Sequence, residues 1–431
     1  VHNLHQLLVE TQTAYVAADW SLLLEYLQQL ILKTDAQHPA IVNNQEYLLK
    51  LALAILELGD FQQRWDITKV ITRLGNIAIA PLIVILTDEE AEEELRWYAM
   101  RTLGEFQHPD AIMPLVAVLK TSDNDELKAM ASAALGQMGT LAISALEELL
   151  GETETRLLAV RSLCHIRCSE TIAPLLSVVN DPQPAIRTAA IEALSSFQDS
   201  RIPPILINAL DDVAPTVRRA AVLGLGFWLD LGETLDLVTR LESRLDDLNL
   251  EVCSAAVLSL SRIGGDAAAQ CLFQVLRSPN TPITLQLEII RALSWIATPV
   301  SLAYLQQALN QISSETVLQE IVSVLGRVKK PNLITTATEI LLDFLQAKHQ
   351  FLETNHIKCR IALSLGQLGK AESIEPLMSL LLDADPLVRL HAIAALKYLT
   401  PEDTHQQLQS LGPNTTLASN LQQVAAITLG E

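Results

Sequence analysis

The sequence predicts an all-α fold, a right-handed α-solenoid of about ten to eleven stacked helix pairs. Two observations carry that expectation. One short phrase of residues returns along most of the chain, and it returns at a nearly fixed spacing. The composition agrees. Hydrophobic residues make up 49% but aromatics only 4%, so the core is built from Leu, Ile, Val and Ala. Such a core suits short, closely packed helices better than a β-sandwich.

The phrase consists of an apolar helix opening with Pro-Leu, a polar turn containing Asp, a Val-Arg or Ile-Arg pair, and an Ala-rich helix ending in Leu. One copy runs from Ala173-Pro174-Leu175 through Asp181-Pro182 and Ile186-Arg187 to Ala193-Leu194. A second runs from Pro203-Pro204 through Asp211-Asp212 and Val217-Arg218 to Gly224-Leu225. A third runs from Glu375-Pro376-Leu377 through Asp383, Asp385-Pro386 and Val388-Arg389 to Ala395-Leu396. The closing leucine can be followed as Leu74, Leu103, Leu135, Leu163, Leu194, Leu225, Leu260, Leu293, Leu325, Leu365 and Leu396. Most gaps lie near 31 residues, with one of 40 before Leu365. That is the length of a two-helix unit.

Each part of the phrase has a physical role. Proline in the first turn of a helix gives up an N–H that has no helical partner there. Aspartate in the turn is expected to cap the next helix by accepting its orphan N–H groups. Alanine lets neighbouring helices approach, and Leu or Ile at i, i+3, i+4 and i+7 fills the space between layers. Pairs such as Leu135-Gly136 and Leu365-Gly366 put glycine near the end of the second helix, for a left-handed cap or for close packing.

The pattern resembles the HEAT family and, within it, the short HEAT-like repeats of phycobilisome-lyase-type proteins. The resemblance covers Gln62 to Leu399. Residues 1–58 are helical in pattern but lack the Val-Arg phrase, and are expected to form an atypical N-terminal helical cap. Residues 59–400 form the repeat solenoid. Residues 401–431 are a C-terminal cap or tail, with one helix expected at Leu417 to Ile427. About nine extra residues around Gln346 to Asn355 predict a longer helix or loop.

Net charge is -20 and the pI about 4.8. Nucleic-acid binders neutralise phosphates with Lys and Arg, so this balance argues against that partner class. It suits docking on a basic patch of a protein. No apolar run reaches the length of a membrane span. Val1 to His5 lacks a charged region leading into an apolar one, so no secretory signal is expected. The five cysteines, Cys164, Cys168, Cys253, Cys271 and Cys359, read as buried, reduced thiols of a cytoplasmic protein. Cys164-His165 and Cys168 would put two sulfurs one helical turn apart, but no second pair completes a zinc set. No phosphate loop, nucleophile elbow, zinc-protease or dinucleotide motif occurs, so no catalytic or metal residue is assigned.

The most unusual segment is the acidic run Asp88 to Glu94, followed by Leu95-Arg96-Trp97-Tyr98-Ala99-Met100-Arg101 and Glu105-Phe106. On a helix, Leu95, Ala99, Leu103 and Phe106 share one apolar stripe. Glu94, Trp97, Arg101 and Glu105 then lie together on the other side. Glu94, Arg96, Trp97, Tyr98, Arg101 and Glu105 are therefore the expected partner-binding residues, against the alternative that Trp97 packs on the next repeat. Arg218-Arg219, Lys329-Lys330, Trp228 and Trp295 sit near second-helix ends, where they either line a groove or pack between repeats.

Two functions remain open. The repeat, the acidity and the lack of catalytic motifs favour a non-catalytic protein-interaction scaffold or assembly factor, with no cofactor. The resemblance alone implies the alternative, a bilin lyase or isomerase holding an open-chain tetrapyrrole beside a phycobiliprotein. Phycobiliproteins or photosynthetic assembly components would then be the partners. In that reading Arg96 and Arg101 face the propionates, Glu94 supplies an acid, and Trp97 and Tyr98 form walls.

Overall fold

The computed structural model describes residues 4–34, 38–347 and 350–399, and every regular element among them is helical. The chain divides into two compact units, Val1–Ile202 and Pro203–Glu431. The first contains the helices Leu4–Val16 and Trp20–Leu32, a short turn of helix at Pro39–Val42, and five pairs. The pairs join Gln45–Leu58 to Phe61–Leu74, Ile79–Thr87 to Glu93–Phe106, and Ile112–Thr121 to Asp125–Gln137. Two more join Ile143–Leu150 to Arg156–His165 and Ile172–Ser177 to Pro184–Leu194. The second unit opens at the helix Ile202–Ala209, paired with Pro215–Leu225. It continues with Leu237–Glu242 and Leu250–Ile263, Gly265–Leu276 and Ile283–Ile296, and Pro299–Gln311 and Glu315–Gly326. Pro331–Gln346 with Asn355–Leu368, and Ile374–Leu380 with Pro386–Tyr398, complete eleven pairs among the described residues.

The pairing starts earlier than the boundary expected at residue 59. Gln45–Leu58 packs along Phe61–Leu74, so that boundary falls between two helices of one pair. The reason is that the phrase marks a turn and a second helix, which leaves the first helix of the array unmarked. The wide spacing before Leu365 is taken up by the long helix Pro331–Gln346 and a 3-10 turn at Gln350–Glu353. The expected tail at 401–431, with its helix at Leu417 to Ile427, lies outside the described residues.

Four of the first helices start alike. A 3-10 turn leads into Ile79, Ile112, Ile172 and Ile374, and Pro81, Pro114, Pro174 and Pro376 sit in the first helical turn, where no backbone donor is lost. The closing leucines are all buried. Each contributes about 1.5–3 kcal/mol by leaving water.

Within each unit the second helices stack on one another, and their spacing is set at the residue after the closing leucine. Gly104, Gly136, Gly226, Gly326 and Gly366 occupy that place. A Cβ at Gly366 would stand 2.7 Å from the Cα of Ala395, and one at Gly326 would stand 2.7 Å from the Cα of Ser364. Opposite Gly104, Gly226, Gly326 and Gly366 stands a small residue, Ala134, Ser259, Ser364 or Ala395, just before the next closing leucine, whereas Gly136 meets the Cβ of His165. Where it is serine it spans the gap. Ser259 Oγ donates to the Val222 carbonyl at 2.8 Å, and Ser364 Oγ to the Val322 carbonyl at 3.0 Å. These glycines are required by close approach and not by a left-handed cap, which is supplied elsewhere, as at Gly369 with φ +68°.

Of the turn aspartates, Asp385 caps the second helix as expected, accepting the Leu387 and Val388 N–H groups at 2.6 and 3.4 Å, but Asp181 and Asp212 do not. Asp181 Oδ1 accepts the Gln183 N–H and Asp212 Oδ1 accepts the Ala214 N–H, both at 2.8 Å, which fixes the turn before the helix begins. The helix that follows has proline at its first position in these copies, Pro184 and Pro215, so its orphan donors are already fewer. The other carboxylate oxygen reaches the preceding layer. Arg156 meets Asp181 at 2.7 Å, Arg218 meets Asp247 through two nitrogens at 2.7 and 2.8 Å, and Lys358 meets Asp383 at 2.6 Å. Arginines of the Val-Arg phrase also grip their own turn. Arg187, Arg218 and Arg389 donate to the carbonyls of Asp181, Asp212 and Asp383.

Two outcomes follow from this packing. Gly326→Ala should lower stability by about 1–3 kcal/mol, because the Ser364 backbone stands in the way. Thr316→Ala, exposed on the same helix, should leave the thermal midpoint almost unchanged. Asp247 is held below the usual carboxyl value, first by its hydrogen bonds from Arg218. Its contribution is complete above the ordinary value of about 4 and is lost as pH falls through the depressed one. Thermal midpoints measured against pH should therefore drop in acid, and the drop should be shallower in Asp247→Asn, which starts from a lower midpoint at neutral pH.

Candidate functional site

The residues nine, six and two before the closing leucine, and two after it, share one edge of each second helix, bordered by the place five before it, which Tyr98 holds on Glu93–Phe106. Glu94, Trp97, Arg101 and Glu105 occupy the four edge places on that helix, so the face expected from the sequence is that edge. The structure engages it closely with the preceding layer. Arg64, itself buried, ion-pairs with Glu92 at 3.0 Å and Glu94 at 2.9 Å. Arg101 lies over the Trp65 ring, 3.7 Å from its centre, and Thr72 donates to Glu105. Arg96, off this edge, donates to the Leu86 carbonyl at 3.1 Å.

Tyr98 departs from the expectation. It is fully buried, and its hydroxyl donates to the Phe61 carbonyl at 3.1 Å. Burial, with the Glu94 charge adding to it, pushes its phenol up from the ordinary value. The phenol points between layers because this helix buries a broad band that also includes Ala99, Met100, Thr102 and Leu103. Tyr98 is thus an interior residue and not part of a docking face. Trp97 is half-buried and meets Tyr98 edge-on, with ring centres 5.1 Å apart.

The same register in the second unit leads to an open groove of about 580 Å³. Its floor is the helix Leu250–Ile263, presenting Ser254, Ala255 and Leu258. One wall carries Arg219 and Leu223, and the other carries Glu288, Arg291 and Trp295. The small floor residues keep the groove low between taller walls. Trp295 is 78% exposed, whereas Trp228 is 8% exposed. The sequence treated these two tryptophans alike. Trp295 stands two residues after its closing leucine, on the open edge, while Trp228 stands three after and turns into the core. The basic pairs split in the same way. Arg218 belongs to the ladder and Arg219 lines the groove, 3.5 Å from Glu251, while Lys330 donates to the Ala297 carbonyl.

Thiol chemistry gains no support. Only Cys253 and Cys359 are buried, so the expectation of five buried thiols holds for two. The helix Arg156–His165 ends before Cys168, which is extended at φ -137°, so Cys164 and Cys168 are not one helical turn apart. Burial pushes the Cys164 thiol up to about 11, and burial with the Glu242 charge does the same for Cys271. Among the described residues no cluster of His, Cys, Asp and Glu has the makings of a metal site, and no helix is long and apolar enough to cross a membrane.

Comparison with known proteins agrees with this architecture. A family model described as HEAT repeats matches residues 79–157, 151–226 and 202–286, and one described as a PBS lyase HEAT-like repeat matches residues 357–383. No curated protein matches. Several solved structures share the fold. In the Kap95:Nup1 complex the match is 14% identical with a TM-score of 0.53, covering 96% of this chain and 63% of that one. Importin beta crystallised in an ammonium sulfate condition is 15% identical with a TM-score of 0.51, covering 90% and 59%. The karyopherin Kap121p, bound to the extreme C-terminus of the protein phosphatase Cdc14p, is 14% identical with a TM-score of 0.50, covering 100% and 58%. The chain thus spans about three fifths of the length of these karyopherins. Helix pairs that stack within each unit, the phrase that recurs along them and the repeat models that match it make this chain a member of the HEAT-repeat family.

Proposed function

We propose that this chain is a non-catalytic protein-binding scaffold, and that its main docking surface is the open edge of the second helices in the unit beginning at Pro203. The observation that carries the reading is Trp295, 78% exposed beside an apolar-floored groove. So much apolar area facing water is unfavourable, and tryptophan with arginine nearby is the composition of an interface hot spot. The wider fold supports it, because stacked repeats offer long surfaces with no need for a catalytic pocket.

The tetrapyrrole reading draws on Arg96, Arg101, Glu94, Trp97 and Tyr98. Tyr98 is interior, and the two arginines and Glu94 are already bound to Leu86, Trp65 and Arg64. No observation favours it over the scaffold. The face of Glu94, Trp97, Arg101 and Glu105 is a secondary docking surface in our reading, and the acidic run beside it would attract a partner with a basic surface.

Pull-downs quantified by mass spectrometry test the reading with two variants. Trp295→Ala should weaken capture of the main stoichiometric partner by about 2 kcal/mol or more while the thermal midpoint barely moves. Trp97→Ala should lower the midpoint by several degrees, because its ring is already half-buried and packed edge-on against the buried Tyr98. A new absorption band on mixing with phycocyanobilin, followed by pigment transfer to an apo-phycobiliprotein, would overturn the scaffold in favour of the lyase.

A further inference from the structure

The open edge of the second helices in the unit from Pro203 has a charge balance opposite to that of the whole chain. Against the overall charge of -20, the edge positions hold Arg219, Arg262, Arg291 and Arg327 but only Glu251, and the bordering place five before the closing leucine adds Arg360, Glu288 and Glu320. The imbalance is sharpest in the row two residues after the closing leucine, which reads Phe227, Arg262, Trp295, Arg327 on four successive helices. Aromatic and guanidinium alternate there, one per layer.

The arginines of this row are poorly neutralised. Arg262 lies over the Phe227 ring, 4.6 Å from its centre, and has no carboxylate partner among the described residues. Stacking holds the guanidinium flat and leaves an edge of N–H groups for a planar anion. Arg327 is 3.7 Å from Glu320, a carboxylate that Arg291 already takes at 2.8 Å. One negative charge is therefore shared by two positive ones. Between the two arginines stands Trp295, with the groove and Leu258 beside it.

We propose that this row binds an extended, acidic segment of a partner protein, which places an apolar side chain against Trp295 and Leu258 and a carboxylate on each of Arg262 and Arg327. The proposal rests on the scaffold reading above and adds the chemistry and register of the partner. Packed helices lie about 8–10 Å apart, and a chain extended as polyproline II advances about 3.1 Å per residue with three residues per turn, so that residues three apart share a face. One layer therefore corresponds to three residues. The segment is acidic at one position, apolar or aromatic three residues on, and acidic again three residues after that. Alternation along the row makes the edge selective, since a basic segment in the same register would face two under-neutralised guanidinium groups.

A phage-displayed library of random eleven-residue peptides, selected on the full chain, tests this. Enriched peptides should carry Asp or Glu three residues to either side of a Leu, Phe or Trp. Trp295→Ala should weaken their binding about tenfold or more, as expected for a lost anchor. Arg262→Glu should switch the preference at the facing position to Lys or Arg, a gain that mere loss of folding does not produce. Thermal midpoints of both variants should stay close to that of the parent. Peptides that depend on Trp295 but show no acidic preference, or a basic one, would overturn this inference and leave the scaffold reading standing. Binding that needs phosphorylated peptides in place of carboxylates would overturn it too. If no peptide is enriched, or if binding is indifferent to Trp295, the docking surface itself is wrong and both readings fall.

Discussion

The distance between successive second helices depends on a missing side chain. Where the residue after the closing leucine is glycine, the next helix comes so close that an added Cβ would stand within about 3 Å of it, and at Gly104, Gly226, Gly326 and Gly366 it would meet the Cα of a small residue. That approach decides what the rest can do. The serine at Ser259 or Ser364 reaches a carbonyl on the neighbouring helix only because the glycine is bare. Leucines can mesh from layer to layer, and the turns come close enough for one arginine to span two of them. A methyl group at one of these places would push against helix backbone, not against a side chain that can rotate away.

The polar ladder follows from that spacing and adds what packing lacks, namely direction. Arg218 shows its logic. One nitrogen holds the carbonyls of its own turn, and two others hold Asp247 of the next turn, whose remaining hydrogen bond fixes its own loop. Turn conformation in one layer is thereby tied to helix register in another. Ion pairs this poorly exposed gain little net energy, since desolvation offsets much of the attraction. Their more secure effect is on register, because a layer displaced by one residue would leave a covered guanidinium unpaired. Arg64 does the same work with different partners, taking Glu92 and Glu94 from the helix start in place of a turn aspartate.

Most of the fold was legible because the repeat exposes its own period. The closing leucines, the first-turn prolines and the glycines after Leu103, Leu135 and Leu365 all mark real structural places. Three things escaped. The helix Gln45–Leu58 has no phrase, since the phrase resides in the turn and second helix, so it was assigned to a cap. Asp181 and Asp212 look like helix caps in sequence, yet the chain spends them on the turn before the helix, whereas Asp385 does cap its helix. Tyr98 was placed on a docking face because a two-sided helix was assumed. A second helix in a stack is covered from its partner and from both neighbouring layers, so only a narrow edge stays open and Tyr98 falls outside it. The register that singled out Trp97 was sound, and applying it to the other repeats would have separated Trp295 from Trp228 by a single position.

That single position bears on how such a protein changes its partners. In the second unit the place two residues after the closing leucine lies outside the glycine contact and outside the arginine ladder, whereas in the first unit Gln137 and His165 press on Gly104 and Gly136. That place holds Glu105, Gln137, His165 and Ser196 in the first unit, and Phe227, Arg262, Trp295 and Arg327 in the second. Layers that differ so widely there still share the same core leucines and the same turns. The aromatic residues of the first unit sit earlier on their helices, as Trp65 and Trp97, where Arg101 and Tyr98 lie against them and their surface is partly spent on layer contacts. At the later position no neighbouring side chain closes over Trp295. An aromatic ring in this fold is thus covered or left exposed according to its place along the second helix. In the second unit the exposed edge can therefore vary one layer at a time without disturbing the contacts that set the spacing of the stack.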